Sequence, residues 1–266
     1  MQQQVQTAAD GAVSTGRPGA LIIGASSGMG AALARVLTAR GYVVALIGRQ
    51  SEKLNEVARE INDGGKGRAT TYPHDVREYD AAPEVFSRVA SDLAAAGATF
   101  RLAVYTAGVM PPETRGTWSF EDQRAMIETN VIGAIRWLDL AAASFQRAGG
   151  GTIAAISSVA GDRGRRGNSA YMASKAALST YLESLRYRLH GTGVHVVTIK
   201  PGYVATPMTA GVKLPKPLTI SSTLAAERIA AACERGTSVA YVPGYWRPIM
   251  WVIRALPASL MARLPI

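Results

Sequence analysis

Short apolar runs alternate with helical segments along almost the whole chain, and this alternation leaves few folds to choose from. Ala20-Leu21-Ile22-Ile23, Tyr42 to Ile47, Arg68 to Tyr72, Arg101 to Tyr105, Gly151 to Ser157, Val194 to Ile199 and Ser238 to Val242 read as strands. Between them, Ala31 to Arg40, Ser51 to Asn62, Ala81 to Ala96, the long stretch Phe120 to Arg147, Ser169 to His190 and Ser221 to Arg235 read as helices, with Ser51 the expected N-cap of its helix. Strands that are continuously apolar must be covered on both faces. The prediction is an α/β fold: a single doubly wound, Rossmann-type parallel sheet with helices on both faces. No linker or repeat divides residues 19–244. The first 18 residues are polar, starting Gln2-Gln3-Gln4, and read as a disordered tail without the apolar core of a signal peptide.

The turn after the first strand carries Gly24-Ala25-Ser26-Ser27-Gly28-Met29-Gly30. Glycines there let backbone N–H groups approach a pyrophosphate at a helix N-terminus, where the dipole favours negative charge. Gly24, Ser26, Ser27, Gly28, Met29 and Gly30 are therefore candidate cofactor contacts. The spacing is G-x-x-x-G-x-G, and its position after the first strand is what gives it meaning. The second strand ends Ile47-Gly48-Arg49, with no acid before Glu52 to bind a ribose hydroxyl. Arg49 is placed to hold a 2′-phosphate, which predicts NADP(H) over NAD(H). The competing reading is a solvated strand-end arginine.

Tyr171 and Lys175 stand i, i+4 on one predicted helix face. A phenol has a pKa of about 10, and a fixed cation beside it pulls that value toward neutrality. The pair is thus a candidate acid/base for a carbonyl or alcohol, with Ser158 upstream placed to hydrogen-bond the same oxygen. Chance alone supplies about 0.2 Tyr-x-x-x-Lys pairs in such a chain, so the motif is weak by itself. The cation is still a selective choice, because the chain has 23 Arg and only 6 Lys. Ser157, one residue earlier in a strand, faces the opposite way.

The net charge is +10, but the arginines are scattered and no basic run is interleaved with aromatics. That argues against nucleic acid and for a surface that attracts phosphorylated ligands. His74, His190 and His195 lie at no metal-ligand spacing, so no metal is expected. The lone Cys233 excludes an internal disulfide, reads as a packed thiol, and fits a reducing, cytoplasmic setting.

Together these pieces resemble the short-chain dehydrogenase/reductase family from about Ala20 to Arg235. The glycine pattern is similar to the family's. Asp75-Val76 matches its adenine-contacting pair, and Asn130 its structural and proton-relay asparagine. Ser158 stands 13 residues before Tyr171, as the family's catalytic serine does. Pro201-Gly202-Tyr203-Val204-Ala205-Thr206 resembles the segment that packs on the nicotinamide, which implies Thr206 at the carboxamide. The resemblance implies that Tyr171 exchanges the proton, Ser158 polarises the carbonyl, Lys175 lowers the Tyr171 pKa and binds the ribose, and Asn130 orders a water beyond Lys175. Two departures stand out. Tyr105-Thr106-Ala107-Gly108 replaces Asn-Asn-Ala-Gly, which keeps Ala107 and Gly108 as cofactor contacts but is expected to loosen that wall. Ile23 replaces the usual Thr before the first glycine.

A narrower likeness lies in Gly161-Asp162-Arg163-Gly164-Arg165-Arg166 and the terminal Ala262-Arg263-Leu264-Pro265-Ile266. Both resemble bacterial reductases that complete epimerisation of decaprenylphosphoryl-ribose, which implies a bulky, anionic or lipid-linked substrate. Residues 245–266 read as an apolar and basic helical extension, too short and too charged to span a bilayer. Two readings remain for it: a peripheral membrane contact, or packing on the fold or on a partner copy. A homo-oligomer through the two long helices is expected from the resemblance. A nucleotide-binding regulator and a membrane-associated interaction protein are the rival, non-catalytic readings. Tyr171→Phe separates them: turnover of a ketone should be abolished while cofactor binding, measured by calorimetry, is retained. Residual turnover at the parental rate would remove Tyr171 from the chemistry.

Overall fold

The computed structural model describes residues 16–65, 67–111, 118–211 and 214–264. Its strands are β1 (Arg17–Ile23), β2 (Val43–Gly48), β3 (Arg68–Pro73), β4 (Ala98–Tyr105), β5 (Gly151–Ile156), β6 (Val194–Pro201), β7 (Tyr203–Ala205), β8 (Thr219–Ser221) and β9 (Val239–Val242). Seven of them form one parallel sheet in the order β3-β2-β1-β4-β5-β6-β9. The short β7 and β8 pair separately. The expected doubly wound α/β fold is therefore present.

Alternate residues of each strand feed two cores. Ala20, Ile22, Val44, Leu46, Val104 and Ile156 face one side, under α1 (Gly28–Ala39), α2 (Ser51–Asp63) and α7 (Ser222–Glu234). Leu21, Ile23, Ala45, Ile47, Ala103 and Ala155 face the other, under α3 (Ala82–Ala95), α5 (Gly133–Arg147) and α6 (Ser169–Arg188). Burial on both faces is why the strands read as unbroken apolar runs. Cys233 is buried in the first core, and burial pushes its thiol up to about 12.

Three boundaries differ from the expectation. Gln50, not Ser51, is the N-cap of α2, because the strand exit turns straight into the helix and Ser51 is its first residue. Arg17 and Pro18 belong to β1 and pair with Ala98 and Thr99, so the tail expected to reach residue 18 stops short of them. The rest of that expectation, residues 1–15, lies outside the described residues. The long helix is interrupted: α4 (Phe120–Ile127) passes into a π turn (Glu128–Ile132) before α5.

The C-terminal extension folds back as α8 (Trp246–Ala255) and α9 (Ala258–Met261), and Pro265 and Ile266 lie outside the described residues. Trp246 and Met250, one turn apart, bury against Val159, Tyr203, Leu218 and Tyr241. Each such side chain contributes about 1.5–3 kcal/mol of apolar burial. The fit is tight at Gly202, where a Cβ would overlap the Trp246 indole. Arg163 donates to the Leu256 carbonyl at 3.1 Å and Arg166 to the Ala262 carbonyl at 2.9 Å. Tyr245 adds a bond from its hydroxyl to the Leu218 carbonyl at 3.1 Å. Among the described residues no helix is long and apolar enough to cross a membrane.

Candidate active site

The strand order reverses between β1 and β4, and a cleft of about 350 Å³ opens at their C-terminal ends. Gly24 turns the chain out of β1 at φ +97°, a conformation glycine adopts freely, and a Cβ there would run into the Ala107 backbone. α1 then starts at Gly28. Its N-cap, Ser27, makes no side-chain capping bond, so the first helical N–H groups are left for a ligand. Gly24, Ser26, Ser27, Gly28, Met29, Gly30, Arg49, Val76, Ala107, Gly108 and Thr206 all line the cleft.

Asp75, Pro201, Gly202 and Val204 are not among the residues that line this cleft. Asp75 is occupied by Arg77, whose guanidinium donates to it at 2.7 Å, and Arg49 lies 3.7 Å away. Those hydrogen bonds and cations hold its carboxyl below the usual range. Val204 is core, Pro201 ends β6 under cover, and Gly202 is the seat of Trp246. The cleft in turn adds residues that the sequence reading omits, notably Lys53, His74 and Thr106. Lys53 lies in the first turn of α2, close in sequence to Arg49, which stands in the connection before that helix. His74 is buried edge-on to Trp137, with ring centres 5.4 Å apart, and burial lowers its pKa.

The Tyr105-Thr106 departure does not loosen the wall. The Thr106 hydroxyl sits within 2.9 Å of the Ile23 carbonyl and 3.0 Å of the Gly24 carbonyl, and so ties β4 to the glycine turn. Tyr105 is wholly buried and donates to the Thr129 carbonyl at 2.6 Å.

The fold brings Asn130, Ser158, Tyr171 and Lys175 together. Ser158 leaves β5 as the N-cap of a 3₁₀ turn, and its Oγ accepts the Ala160 N–H at 3.0 Å, leaving its proton to donate. Asn168 caps α6 by accepting the Tyr171 N–H at 2.9 Å, which fixes Tyr171 in the first turn. One turn on, Lys175 is 4 % exposed; its Nζ donates to the Ile156 carbonyl at 2.9 Å and lies 5.7 Å from the Tyr171 ring centre. Asn130 Oδ1 and Lys175 Nζ both face Gly108, within 3.3 and 3.4 Å of where a Cβ would stand. Ser157 points the other way and donates to the Lys175 carbonyl at 2.8 Å, a bond that pins α6 to β5.

The electrostatics differ from the expectation in one respect. Burial raises the Tyr171 phenol above its ordinary value; the groups that oppose this are the Ser158 hydroxyl and the Arg165 cation, not Lys175. Lys175 is directed at a backbone carbonyl, and burial draws its own pKa down to about 8. Tyr171 is therefore a proton donor at neutral pH, beside an ammonium that loses charge on the alkaline side.

A family model described as short chain dehydrogenase matches residues 19–216. An uncharacterized oxidoreductase of Myxococcus xanthus is 37% identical over 226 residues, covering 84% of this chain and 87% of that protein. Another, of Mycobacterium tuberculosis, is 32% identical over 253 residues, covering 91% and 95%. Among solved structures, a short-chain type dehydrogenase/reductase from Mycobacterium marinum superposes with a TM-score of 0.77 at 24% identity, over 86% of this chain and 95% of its own. A 7α-hydroxysteroid dehydrogenase complexed with NADH and 7-oxo glycochenodeoxycholic acid superposes with a TM-score of 0.76 at 23% identity, over 85% and 93%. These two share the fold.

The ionisation order generates a pH profile. Ketone reduction, measured as kcat/KM, should be level through neutrality and fall as pH rises through about 8, where Lys175 loses its charge. A profile that falls toward acid instead would mean that Tyr171 enters the reaction as a base.

Proposed function

The chain belongs to the short chain dehydrogenase family, and from that premise we propose that it is an NADP(H)-dependent carbonyl reductase. Its membership makes it an oxidoreductase with a nicotinamide cofactor and a small-molecule substrate. The observation that carries the finer reading is the pairing of Arg49 and Lys53 in the cleft at the end of β2. Two cations suit a 2′-phosphate. The nearest carboxylate, Asp75, is engaged by Arg77. The Gly24–Gly30 turn and the start of α1 would hold the pyrophosphate, and Thr206 the carboxamide end. When bound, the nicotinamide supplies the hydride. Tyr171 delivers the proton to the carbonyl oxygen, Ser158 donates a hydrogen bond to that oxygen, Lys175 orients the phenol and the ribose, and Asn130 holds the relay behind Lys175.

The substrate in this reading is a bulky anionic carbonyl compound, such as a polyprenyl-phosphate keto-sugar. Arg163 and Arg166 are taken up by backbone carbonyls of the C-terminal segment. Arg165 stands between them with its charge felt at the Tyr171 phenol, and it is the residue we assign to the substrate phosphate. Exposed Phe120, Ile132 and Tyr187 on the two long helical stretches support a homo-oligomer through them.

Equal concentrations of NADPH and NADH test the cofactor reading. At about 100 times its dissociation constant a ligand stabilises the fold by about 2.7 kcal/mol, which should raise Tm by about 5–11 °C with NADPH at 2–4 °C per kcal/mol. Arg49→Ala/Lys53→Ala should erase the advantage over NADH. Equal shifts with both cofactors in the parent would sink the preference.

The outer face of α8 supports a peripheral contact with an anionic membrane. Trp251 is 76% exposed and Val252 55%, Arg247 and Arg254 flank them, and no acidic residue follows Glu234. The protein should co-sediment with vesicles containing phosphatidylglycerol but not with phosphatidylcholine alone, and Trp251→Ala should weaken that binding. Sedimentation unaffected by vesicle charge, or a Trp251→Ala change that alters only the oligomeric state, would assign this face to a second copy.

A further inference from the structure

We propose that Tyr105 is a positioning residue for Asn130: its buried hydroxyl holds open the π turn that carries Asn130 to Lys175. The inference rests on the reading of Asn130 as part of the proton relay, and it concerns a position where the chain departs from the family's usual asparagine.

In an α-helix the Gly133 N–H would donate to the Thr129 carbonyl, four residues back. Here it donates to the Glu128 carbonyl, five residues back, which is what makes the turn a π turn. The Thr129 carbonyl thereby loses its helical partner inside the protein, where Thr129 is only 6% exposed. A buried carbonyl without a donor is costly, so something must replace the lost N–H. Tyr105 does so: its hydroxyl donates to the Thr129 carbonyl at 2.6 Å from the end of β4, with the whole residue at 0% exposure.

Space for that hydroxyl is provided by the same turn. A Cβ at Gly133 would lie 2.8 Å from the Tyr105 hydroxyl and 3.1 Å from the Val76 carbonyl. Gly133 thus both shifts the helical register and leaves room for the group that compensates it. The extra residue in the turn delivers Asn130. Its Oδ1 accepts the Val109 N–H at 2.8 Å, and its Nδ2 donates to the Val109 carbonyl at 3.1 Å and to Ser174 Oγ at 3.0 Å. These bonds lock the side chain against the loop after β4 that carries Gly108 and against the helix that carries Tyr171 and Lys175. If the hydroxyl is removed, the cheapest repair is for the Gly133 N–H to return to the Thr129 carbonyl. That rewinds the turn by one residue and swings Asn130 off Val109.

The test is Tyr105→Phe, which keeps the ring and deletes only the donor. The expected protein is folded and shifts in Tm with cofactor as the parent does. Its Val109 amide, read by hydrogen exchange, should exchange at least ~10-fold faster because Asn130 no longer holds it. Its kcat should fall by about 10- to 100-fold while the KM for cofactor stays within about twofold, the signature of misplaced chemistry rather than lost binding. Gly133→Ala, which crowds the hydroxyl from the other side, should give the same two changes and carries the test if Tyr105→Phe proves too unstable to handle. Parental exchange at Val109, or a fall in kcat with Val109 still protected, would overturn the proposal. The exchange measurement needs no substrate, so it decides the positioning role even if the parent reduces no ketone and the reductase reading fails.

Discussion

Three hydrogen bonds converge on the carbonyl of Ile23, from the N–H groups of Thr106 and Ala107 and from the Thr106 hydroxyl, at 2.7–2.9 Å. The next strand over repeats the device: the Ile47 carbonyl accepts the N–H groups of Gly24 and Ala25 at 2.8 and 2.9 Å. Each strand of the sheet's centre thus ends by satisfying the loop that leaves its neighbour. A parallel sheet needs this where the ladder stops and backbone groups would otherwise be left over. The arrangement fixes the distance between the glycine turn and the Ala107-Gly108 wall, and with it the width of the cleft. The glycines are needed because the two loops touch backbone to backbone, with no room for side chains between them.

Burial does the rest of the work at the reacting end. The same dry environment raises the Tyr171 phenol and lowers the Lys175 ammonium. Each shift favours the neutral form, so the phenol holds its proton more tightly, and the ammonium gives its proton up more readily, than either would in water. Ser158 and Arg165 oppose the rise at the phenol, while Lys175 is held by the Ile156 carbonyl.

Much of this was legible in the chain. The sheet declared itself because strands covered on both faces cannot hide their apolar character, and Ser158, Tyr171 and Lys175 were readable because a strand end and a helix turn impose fixed spacings. The π turn was not readable: a change of one residue in hydrogen-bond register leaves the apolar pattern of Phe120 to Arg147 looking like one helix. The roles of Arg163 and Arg166 were equally hidden, since their partners are backbone carbonyls 93 and 96 residues away. Asp75 and Gly202 were assigned to the cofactor by likeness. In the fold Asp75 accepts from Arg77, and Gly202 lies under the Trp246 indole, neither of which the likeness foretells.

The seat of Trp246 on Gly202 joins two parts of the molecule that sequence order keeps apart. The strand exit beside the proposed nicotinamide site and the C-terminal helix fill one volume, and Val159, the neighbour of Ser158, lies under the same indole. The extension is therefore not an appendage that can be trimmed or exchanged freely. A chain shortened before residue 246 would uncover apolar surface next to the reacting groups, and a transplanted terminus would need its own partner for the hollow above residue 202. In a lineage that remodels this end to accept new substrates, the two positions must drift as a pair.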